Sequence, residues 1–242
     1  MKNREDFQEY IKAFLEQNSY LNLISKNDEK FLWEKHIFDS LAIEKFFEKY
    51  FFAAKQLRSQ AAKLDNRETL KEQLTDKNLS TFQPFNLSTN NNFPLSTFHF
   101  QLLDIGTGGG FPAVPIAIMY PEIEVFALDS IRKKINAIEN IKAELKINNL
   151  YTICNRAENI KNQKFNIITS RAVAPIKVIV EYAMPLLKDD GYFIAYKSIK
   201  AQEEIEDAKH VLKKHKAKVV DIIRYDLPLD ENFTRNLVVI AK

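Results

Sequence analysis

Apolar and polar residues alternate with two different periods over the second part of the chain, from residue 98 to the end. Short apolar runs predict β-strands, and the longer segments between them, in which apolar residues recur every three or four positions, predict helices. Repeated strand-helix units are typical of a mostly parallel sheet that helices cover on both faces. The predicted strands span residues 100–105, 124–128, 151–154, 165–169, 191–196, 219–225 and 237–241, and the predicted helices span residues 111–120, 131–146, 174–187 and 202–214.

The N-terminal part of the chain has the pattern of amphipathic helices. Apolar residues recur at helical spacing from Phe7 to Leu15, and a second helical element, broken or bent once, is predicted over residues 27–47. His36 and Asp39 lie three positions apart in this element and therefore share one face. By itself, such a pair indicates a surface or capping interaction. We expect residues 1–50 to form a helical cap.

Residues 51–97 differ in composition from both flanking parts. A segment at 53–74 alternates charged residues with a thin apolar stripe, which predicts a lightly packed helix. Leu-Ser-Thr then recurs three times at eight-residue spacing, with Asn-rich sequence between the copies. Copies this short cannot build a solenoid, so we expect residues 76–96 to form a loop. The predicted domains are therefore the cap at 1–50, a low-complexity insertion at 51–97 and the main domain at 98–242.

The glycines of this chain are concentrated in one turn. The sequence contains 5 glycines, and four of them directly follow the first predicted strand. A turn built from glycine lets a ligand lie against the main chain. A P-loop is excluded because the turn lacks the Gly-Lys-Ser/Thr ending, and a dinucleotide fingerprint is disfavoured because Phe111 stands in place of its third glycine. The four residues are Gly106, Gly108, Gly109 and Gly110.

An acid followed by spaced glycines suits a cationic ligand. S-adenosylmethionine carries a sulfonium and an ammonium group, so Asp104 complements its charge, whereas the same acid would repel a pyrophosphate. Gly106 and Gly108 would let the methionine part of this cofactor approach the backbone. We therefore predict an S-adenosylmethionine site. The alternative from these residues alone is an ordinary strand-turn-helix connection with a capping acid.

Further polar residues stand where later strands end, at the edge of a parallel sheet where ligands bind. Asp129 can accept hydrogen bonds from both ribose hydroxyls of a nucleoside. Ala157 and Glu158 would flank the adenine, although a solvated turn explains these two residues as well. Arg171 presents a guanidinium that can hold a carboxylate or a phosphate with two hydrogen bonds. A structural salt bridge is the alternative for Arg171.

Composition narrows the class of protein. The 242 residues are 45% hydrophobic, as in globular proteins, and the single Cys154 excludes an internal disulfide framework and a cysteine zinc cluster. No apolar run reaches the length of a membrane span, and the N-terminus lacks a secretory signal, so we expect a cytoplasmic protein without a membrane partner. The formal charge of +3 is compatible with a polyanionic partner but does not require one.

Six motifs follow one another along the chain: Asn22-Leu23, His36-Ile-Phe-Asp-Ser-Leu41, Leu103-Asp-Ile-Gly-Thr-Gly-Gly-Gly-Phe-Pro112 with Pro115, Leu128-Asp-Ser130, Ser170-Arg-Ala172 and Asn236-Leu-Val-Val-Ile240. In order and content they resemble the bacterial small-subunit ribosomal RNA methyltransferase G family, also called glucose-inhibited division protein B. The likeness covers nearly the whole chain except residues 50–97. Several motifs in one order are far more specific than the glycine turn alone.

This resemblance implies an α/β fold of the Rossmann-like, S-adenosylmethionine-dependent methyltransferase class, with a mostly parallel seven-stranded sheet, an N-terminal helical cap and a low-complexity insertion. It implies methyl transfer from S-adenosylmethionine to N7 of one guanine in small-subunit (16S) ribosomal RNA, with that RNA or the subunit particle as the partner. The predicted cofactor-binding residues are Asp104, Gly106, Gly108, Phe111, Asp129, Ala157, Glu158 and Arg171, and the predicted RNA-binding residues are His36 and Lys197.

Two other functions remain open on the sequence alone, namely a small-molecule methyltransferase and a non-catalytic ribosome-assembly factor with a cofactor-binding fold. A small-molecule enzyme would more often carry a large apolar lid, and the insertion is too polar to form one. We expect a monomer without a metal ion, and no general base, because N7 of guanine carries no hydrogen. Basic residues that favour RNA by offering phosphate contacts are Arg132, Lys133, Lys134, Lys197, Lys200, Lys213, Lys214 and Lys216.

Overall fold

A computed structural model describes residues 3–52, 100–230 and 233–242. The chain divides into two compact units, one formed by Met1–Leu41 together with Phe98–Lys242 and the other by Ala42–Thr97. The described part of the smaller unit is helical, and the rings of Phe46 and Tyr50 stack there with their centroids 4.7 Å apart. The helix predicted at 53–74 and the loop predicted at 76–96 lie outside the described residues.

The larger unit is built on a seven-stranded sheet with the order β3-β2-β1-β4-β5-β7-β6. Strands β1 to β5 pair in parallel, whereas β7 runs antiparallel to both β5 and β6. This topology confirms the predicted Rossmann-like class and the mostly parallel seven-stranded sheet. The strands are β1 (Phe100–Ile105), β2 (Ile123–Asp129), β3 (Leu150–Cys154), β4 (Phe165–Arg171), β5 (Leu187–Lys197), β6 (Lys218–Leu227) and β7 (Phe233–Ala241).

Helices precede the sheet and connect its parallel strands. Asn22 and Lys146 adopt left-handed backbone conformations at the ends of two long helices, where a residue with positive φ stops the helical hydrogen-bond pattern. No helix among residues 3–52, 100–230 and 233–242 combines the length and apolarity needed to cross a membrane. The helices are α1 (Gln8–Leu21), α2 (Lys26–Glu29), α3 (Asp39–Leu41), α4 (Ile43–Phe47), α5 (Ala113–Met119), α6 (Arg132–Leu145), α7 (Ile176–Leu186) and α8 (Ala201–Lys214).

Shorter helical turns complete the chain path. Two 3₁₀ turns span Arg4–Phe7 and Ala157–Asn159, and two π-helical turns span Leu32–Phe38 and Glu48–Phe52. The helical element predicted over residues 27–47 is therefore interrupted more often than the single break we expected. The first π-helical turn, Leu32–Phe38, is followed directly by Asp39, whose buried carboxylate is part of the site described below.

The hydrophobic core lies between the sheet and its helices. Strand β4 alternates toward both faces and is buried from Phe165 to Ser170, as expected for a central parallel strand. On one face, Ile179 and Ala183 of α7 pack into the same apolar cluster as Phe193 of β5. Burial of the two larger side chains, Ile179 and Phe193, contributes roughly 1.5–3 kcal/mol each. The core therefore fixes the strand ends, where the polar residues singled out above converge.

Candidate active site

The glycine turn is tied to the end of the neighbouring strand. The backbone amides of Gly106 and Thr107 both donate to the carbonyl oxygen of Leu128 in β2, at 2.8 and 2.9 Å. Gly106, Gly108 and Gly110 have φ angles of +73°, +59° and +97°, which L side chains rarely adopt. The clustering of glycines in the sequence thus corresponds to a turn whose backbone requires them.

One side of this turn is open. A Cβ atom at Gly108 would meet nothing nearer than the carbonyl oxygen of Gly106 at 3.9 Å. A Cβ atom at Gly106 would lie 2.4 Å from Val173, and one at Gly109 would lie 3.2 Å from the ring of Phe14. A Cβ atom at Gly110 would lie 2.6 Å from Val114, so three of the four glycines are covered and Gly108 offers bare backbone.

Asp129 lies beside the open glycine. Its Oδ2 accepts a hydrogen bond from the Gly108 amide at 3.0 Å, and its Oδ1 accepts one from the Ile131 amide at 2.9 Å. Each carboxylate oxygen has a second lone pair, so acceptor capacity remains. The 3₁₀ turn after β3 follows along the same sheet edge, with Ala157 buried and Glu158 exposed. The structure thus places these predicted cofactor contacts at the ends of three adjacent strands.

Asp104 lies beneath the turn rather than on its surface. Its side chain is 0% exposed, and Thr169 of β4 donates a hydrogen bond to its Oδ1 at 2.9 Å. Burial raises the pKa of this carboxyl group to about 6, against the opposing influence of the Thr107 and Thr169 hydroxyls and of the Arg171 charge. The predicted contribution of Asp104 can therefore only be electrostatic, because direct contact with a ligand does not fit this burial.

Arg171 is held by the N-terminal helices. Its guanidinium donates to Asp39 Oδ2 and to the Lys35 carbonyl oxygen, both at 3.0 Å, and contacts His36 Nδ1 at 3.1 Å. The ion pair with Asp39 is largely buried, with side-chain exposures of 16% and 2%. We expected Arg171 to hold a ligand, with a structural salt bridge as the alternative, and the structure has the salt bridge. The sequence pattern could not identify these partners, because they precede Arg171 by more than a hundred residues.

His36, which we predicted to bind RNA, and Phe111, which we predicted to bind the cofactor, lie together in a buried cluster. The Phe111 ring is 3% exposed and packs 4.9 Å from the ring of Phe14 and 5.1 Å from that of His36. Burial, followed by the nearby Arg171 charge, lowers the pKa of His36 to about 4. The neutral imidazole accepts from Arg171 at Nδ1, and its Nε2 is buried without a hydrogen-bond partner among the described residues.

Asp39 is buried in the site, whereas its spacing from His36 by itself indicated a surface or capping interaction. Its carboxylate is 1% exposed, and it accepts hydrogen bonds from Arg171 and, at 2.6 Å, from the hydroxyl of Tyr225 in β6. The hydroxyl of Tyr196 in β5 donates to the Ser40 carbonyl oxygen at 2.8 Å. Asp39 thus connects the N-terminal cap to Arg171 at the end of β4 and to Tyr225 in β6. Its spacing from His36 was visible in the sequence, but neither partner was.

A cleft of about 400 Å³ opens at the carboxyl ends of β4 and β5. Lys197, which we expected to contact RNA, is only 10% exposed there and forms an ion pair with Glu204 at 2.7 Å. Its Nζ also donates to the Ala174 carbonyl oxygen at 2.7 Å. The length of the lysine side chain lets its ammonium group reach inward from the strand end to both partners. The residues lining the cleft are Asp39, Arg171, Ala172, Val173, Ala174, Pro175, Tyr196, Lys197, Ser198, Glu204 and Arg235.

Comparison with known proteins identifies the family. The model of the family described as rRNA small subunit methyltransferase G matches residues 61–233. The chain belongs to this family. It is 30% identical to ribosomal RNA small subunit methyltransferase G from Thermoanaerobacter sp. (strain X514), over 98% of this chain and 81% of that protein. The protein of the same name from Staphylococcus aureus (strain Newman) is 28% identical, over 99% of this chain and 82% of its own length.

Solved structures give a looser likeness. A ribosomal protein L11 methylase from Lactobacillus delbrueckii subsp. bulgaricus aligns with a TM-score of 0.47 and 18% identity, covering 60% of this chain and 71% of that chain. Membership of the family, by contrast, tests three of the predictions made from the sequence. It confirms the recognised family, the enzyme class of an S-adenosylmethionine-dependent rRNA methyltransferase, and the cofactor.

Proposed function

We propose that this chain transfers the methyl group of S-adenosylmethionine to N7 of one guanine in small-subunit ribosomal RNA. The observation that carries the proposal is a juxtaposition at one sheet edge. The bare backbone of Gly108 lies beside the carboxylate of Asp129, and Val173, which packs over Gly106, also lines the cleft at the ends of β4 and β5. Two ligands bound side by side would therefore meet at the glycine turn.

The residues on the cofactor side fit S-adenosylmethionine. Asp104 beneath the turn and Asp129 beside it supply negative charge for a cationic ligand, and Gly108 offers backbone without a side chain. Asp129 would hold the ribose hydroxyls, with Ala157 and Glu158 beside the adenine. When bound, this cofactor supplies a methyl group on a positively charged sulfur. Arg171 and Phe111 would support the site from beneath, through the cluster that joins them to His36.

The cleft suits the target nucleotide. Its volume of about 400 Å³ is in the range of sites that enclose small molecules. Arg171 and Lys197 line it in ion pairs with Asp39 and Glu204, and Arg235 lines it as well, which gives a mixed polar surface for a base. Fixed hydrogen-bonding groups of this kind orient a ligand without taking part in bond breaking. We therefore assign the guanine to this cleft.

The chemistry at N7 requires alignment rather than proton transfer. N7 presents a lone pair and carries no hydrogen, so no group has to remove a proton before methyl transfer. His36 is unsuited to that task because its Nδ1 already contacts Arg171 and its pKa is about 4. The hydroxyls of Tyr196 and Tyr225 are engaged with Ser40 and Asp39, and burial raises both of their pKa values. The task of the chain is to position the reactants and to exclude water.

Exposed basic residues outside the cleft would bind the RNA backbone. Arg132 and Lys133 are exposed at the start of α6, next to the strand end that carries Asp129, and Lys200 is exposed next to the cleft. Contacts of lysine and arginine with phosphates set the register of a nucleic acid without reading its sequence. Ribosomal RNA as the substrate also supports the expected cytoplasmic location, and the chain would act there as a monomer.

Methyl-transfer assays on RNA test this proposal. The protein is incubated with isotopically labelled S-adenosylmethionine and either free small-subunit rRNA or subunit particles, and the labelled nucleoside is identified by mass spectrometry. We expect 7-methylguanosine at one position. The Asp129→Ala variant is tested beside the wild type. We expect its affinity for S-adenosylmethionine to be at least tenfold weaker, which corresponds to about 1.4 kcal/mol. Label on an exocyclic amine, or no label in RNA, would contradict the proposal.

A further inference from the structure

The segment from Arg171 to Ile176, which joins β4 to α7, is held at both of its ends. At the first end, Arg171 is fixed by its ion pair with Asp39 and its bond to the Lys35 carbonyl oxygen. At the other end, Lys197 Nζ donates to the Ala174 carbonyl oxygen at 2.7 Å, and Glu204 accepts from the Ile176 amide at 2.9 Å. The second attachment comes from strand β5 and helix α8 rather than from the cap.

Lys197 and Glu204 act as a unit at this second attachment. Glu204 Oε2 receives both the Lys197 ammonium, at 2.7 Å, and the backbone amide of Ile176. The side chains are 10% and 27% exposed, so water competes little for the ammonium group. A lysine that serves only to attract RNA phosphates would be expected to extend into solvent, as Lys200 does three residues later. The Lys197 ammonium group is instead paired with Glu204 within the protein.

Between the two attachments the segment is under conformational strain and touches the glycine turn. Ala172 has a φ of +56°, in the left-handed region that is unfavourable for a residue with a Cβ atom. Such a conformation persists only where the surroundings enforce it. Next to it, Val173 is 43% exposed and fills the space above Gly106, where a Cβ atom would come within 2.4 Å of its Cγ2 atom. The segment thus forms the wall between the open glycine turn and the cleft.

We propose that Lys197 and Glu204 are positioning residues for methyl transfer. They hold residues 172–175 so that Val173 stays over Gly106 and the cleft keeps the geometry in which the guanine meets the cofactor. This inference rests on the proposed function of the cleft. It differs from a role in RNA binding, because the pair acts through the segment and not through a phosphate. It also differs from simple stabilisation, because the hydrogen bond to the Ala174 carbonyl fixes one particular backbone position.

The first test compares Lys197→Met with Lys177→Met, which removes the lysine of an exposed ion pair, with Asp207 at 3.9 Å. For Lys197→Met we expect a single-turnover rate at saturating cofactor and RNA that is lower by about tenfold or more, since misplacement within a site acts on the reaction step. Its affinity for S-adenosylmethionine and the salt dependence of its RNA binding should match wild type. Lys177→Met should keep both the wild-type rate at saturation and the wild-type salt slope, because the ion pair that it removes is exposed to solvent.

The second test separates positioning from stability. Lys197→Met leaves Glu204 partly buried without its cation, so this variant loses thermal stability as well. The double variant Lys197→Met/Glu204→Gln removes both charges, keeps an acceptor for the Ile176 amide, and should regain most of the melting temperature. Its rate should remain low, because methionine cannot donate to the Ala174 carbonyl oxygen.

Four results would overturn the inference. A double variant that regains both melting temperature and rate would reduce the pair to a structural role. A Lys197→Met protein with normal saturating rate and a smaller salt slope would make Lys197 an RNA contact. Wild-type protein that labels no RNA would remove the proposed function and this inference together, whereas wild-type activity with an unchanged rate in Lys197→Met removes this inference alone.

Discussion

At the scale of single residues, burial decides which of the predicted site residues can touch a ligand. Gly108 lies open at the sheet edge with the Asp129 carboxylate beside it, whereas Asp104 and Phe111 are enclosed by the chain itself and Arg171 lines the cleft in an ion pair. The sequence could indicate all five, because each stands in or next to a strand-end motif. It could not reveal the enclosure, since the enclosing groups come from α1 and from the turn around His36, far away along the chain.

The buried carboxyl group of Asp104 gives a prediction about stability and pH. Its pKa in the folded protein, about 6, exceeds the ordinary value of 3.8. Between these values the folded state binds more protons than the unfolded state, so Asp104 lowers the unfolding free energy as the pH rises through this window. We expect the stability of Asp104→Asn relative to wild type to increase from pH 4 to pH 7 by roughly 2–3 kcal/mol.

Urea unfolding of both proteins at several pH values measures this difference. The comparison is needed because His36 has the opposite effect. Its folded pKa of about 4 lies below its ordinary 6.5, so its contribution to stability is lost as the pH falls through the same region. That contribution is common to wild type and variant and cancels in the difference. A stability difference that stays constant from pH 4 to pH 7 would show that folding does not raise the pKa of Asp104.

At the scale of elements, hydrophobic periodicity located the sheet well and the ends of the helices less well. Strand β1 has the predicted bounds, because its apolar run ends directly at the glycines. Helix α5 begins at Ala113 rather than at Phe111, and the Phe111 ring packs against Phe14 of α1. Strand β5 begins at Leu187, ahead of the predicted Gly191, because Leu187 pairs with Phe165 of β4. A local pattern does not contain that pairing.

The glycine turn provides a prediction at this scale. Gly106→Ala and Gly108→Ala both place alanine at a positive φ, which costs about 1–2 kcal/mol in either position. Only Gly106→Ala also forces Val173 to move, so its unfolding free energy should fall further than that of Gly108→Ala. Gly108→Ala should instead weaken S-adenosylmethionine binding more than its loss of stability explains, because its methyl group fills the open side of the turn.

Thermal melts and calorimetric titration with S-adenosylmethionine distinguish the two variants. Gly109→Ala is the control within the same turn, since it lacks the positive φ and would meet the Phe14 ring at 3.2 Å. It should affect stability with little effect on cofactor affinity. If Gly106→Ala and Gly108→Ala lose affinity equally, the open side of Gly108 is not where the cofactor approaches.

At the scale of the whole molecule, strand order determines which residues meet. The order β3-β2-β1-β4-β5 puts the ends of five parallel strands in one row, so residues from Asp104 to Lys197 share a single edge. Repeated strand-helix units predicted this convergence from sequence. The contribution of the N-terminal cap could not be predicted in the same way, because Asp39 and His36 reach Arg171 only through the folded arrangement. The assignment of acids and glycines to the cofactor thus came from local pattern, whereas the lining of the cleft required the structure.

The same arrangement predicts how the complete reaction depends on pH. The nucleophile at N7 needs no deprotonation, and the candidate bases around the turn are either bonded or buried. The single-turnover rate at saturating cofactor and RNA should therefore be nearly constant from about pH 6.5 to pH 9, without the rising limb that a titrating base produces. Cofactor affinity is expected to weaken below pH 6, because protonation of Asp104, with its pKa of about 6, removes negative charge from beneath the turn.

The Asp104→Asn variant separates these two effects. It lacks the titrating carboxyl group, so its cofactor affinity should already be reduced at neutral pH and should not weaken further between pH 7 and pH 5. Its single-turnover rate at saturation should have the same flat profile as wild type. Rates are measured by rapid quench with labelled cofactor and affinities by calorimetry over this pH range. A rate that rises tenfold per pH unit through neutrality would require a general base, and the assignment of the reaction to an unassisted attack by N7 would then be wrong.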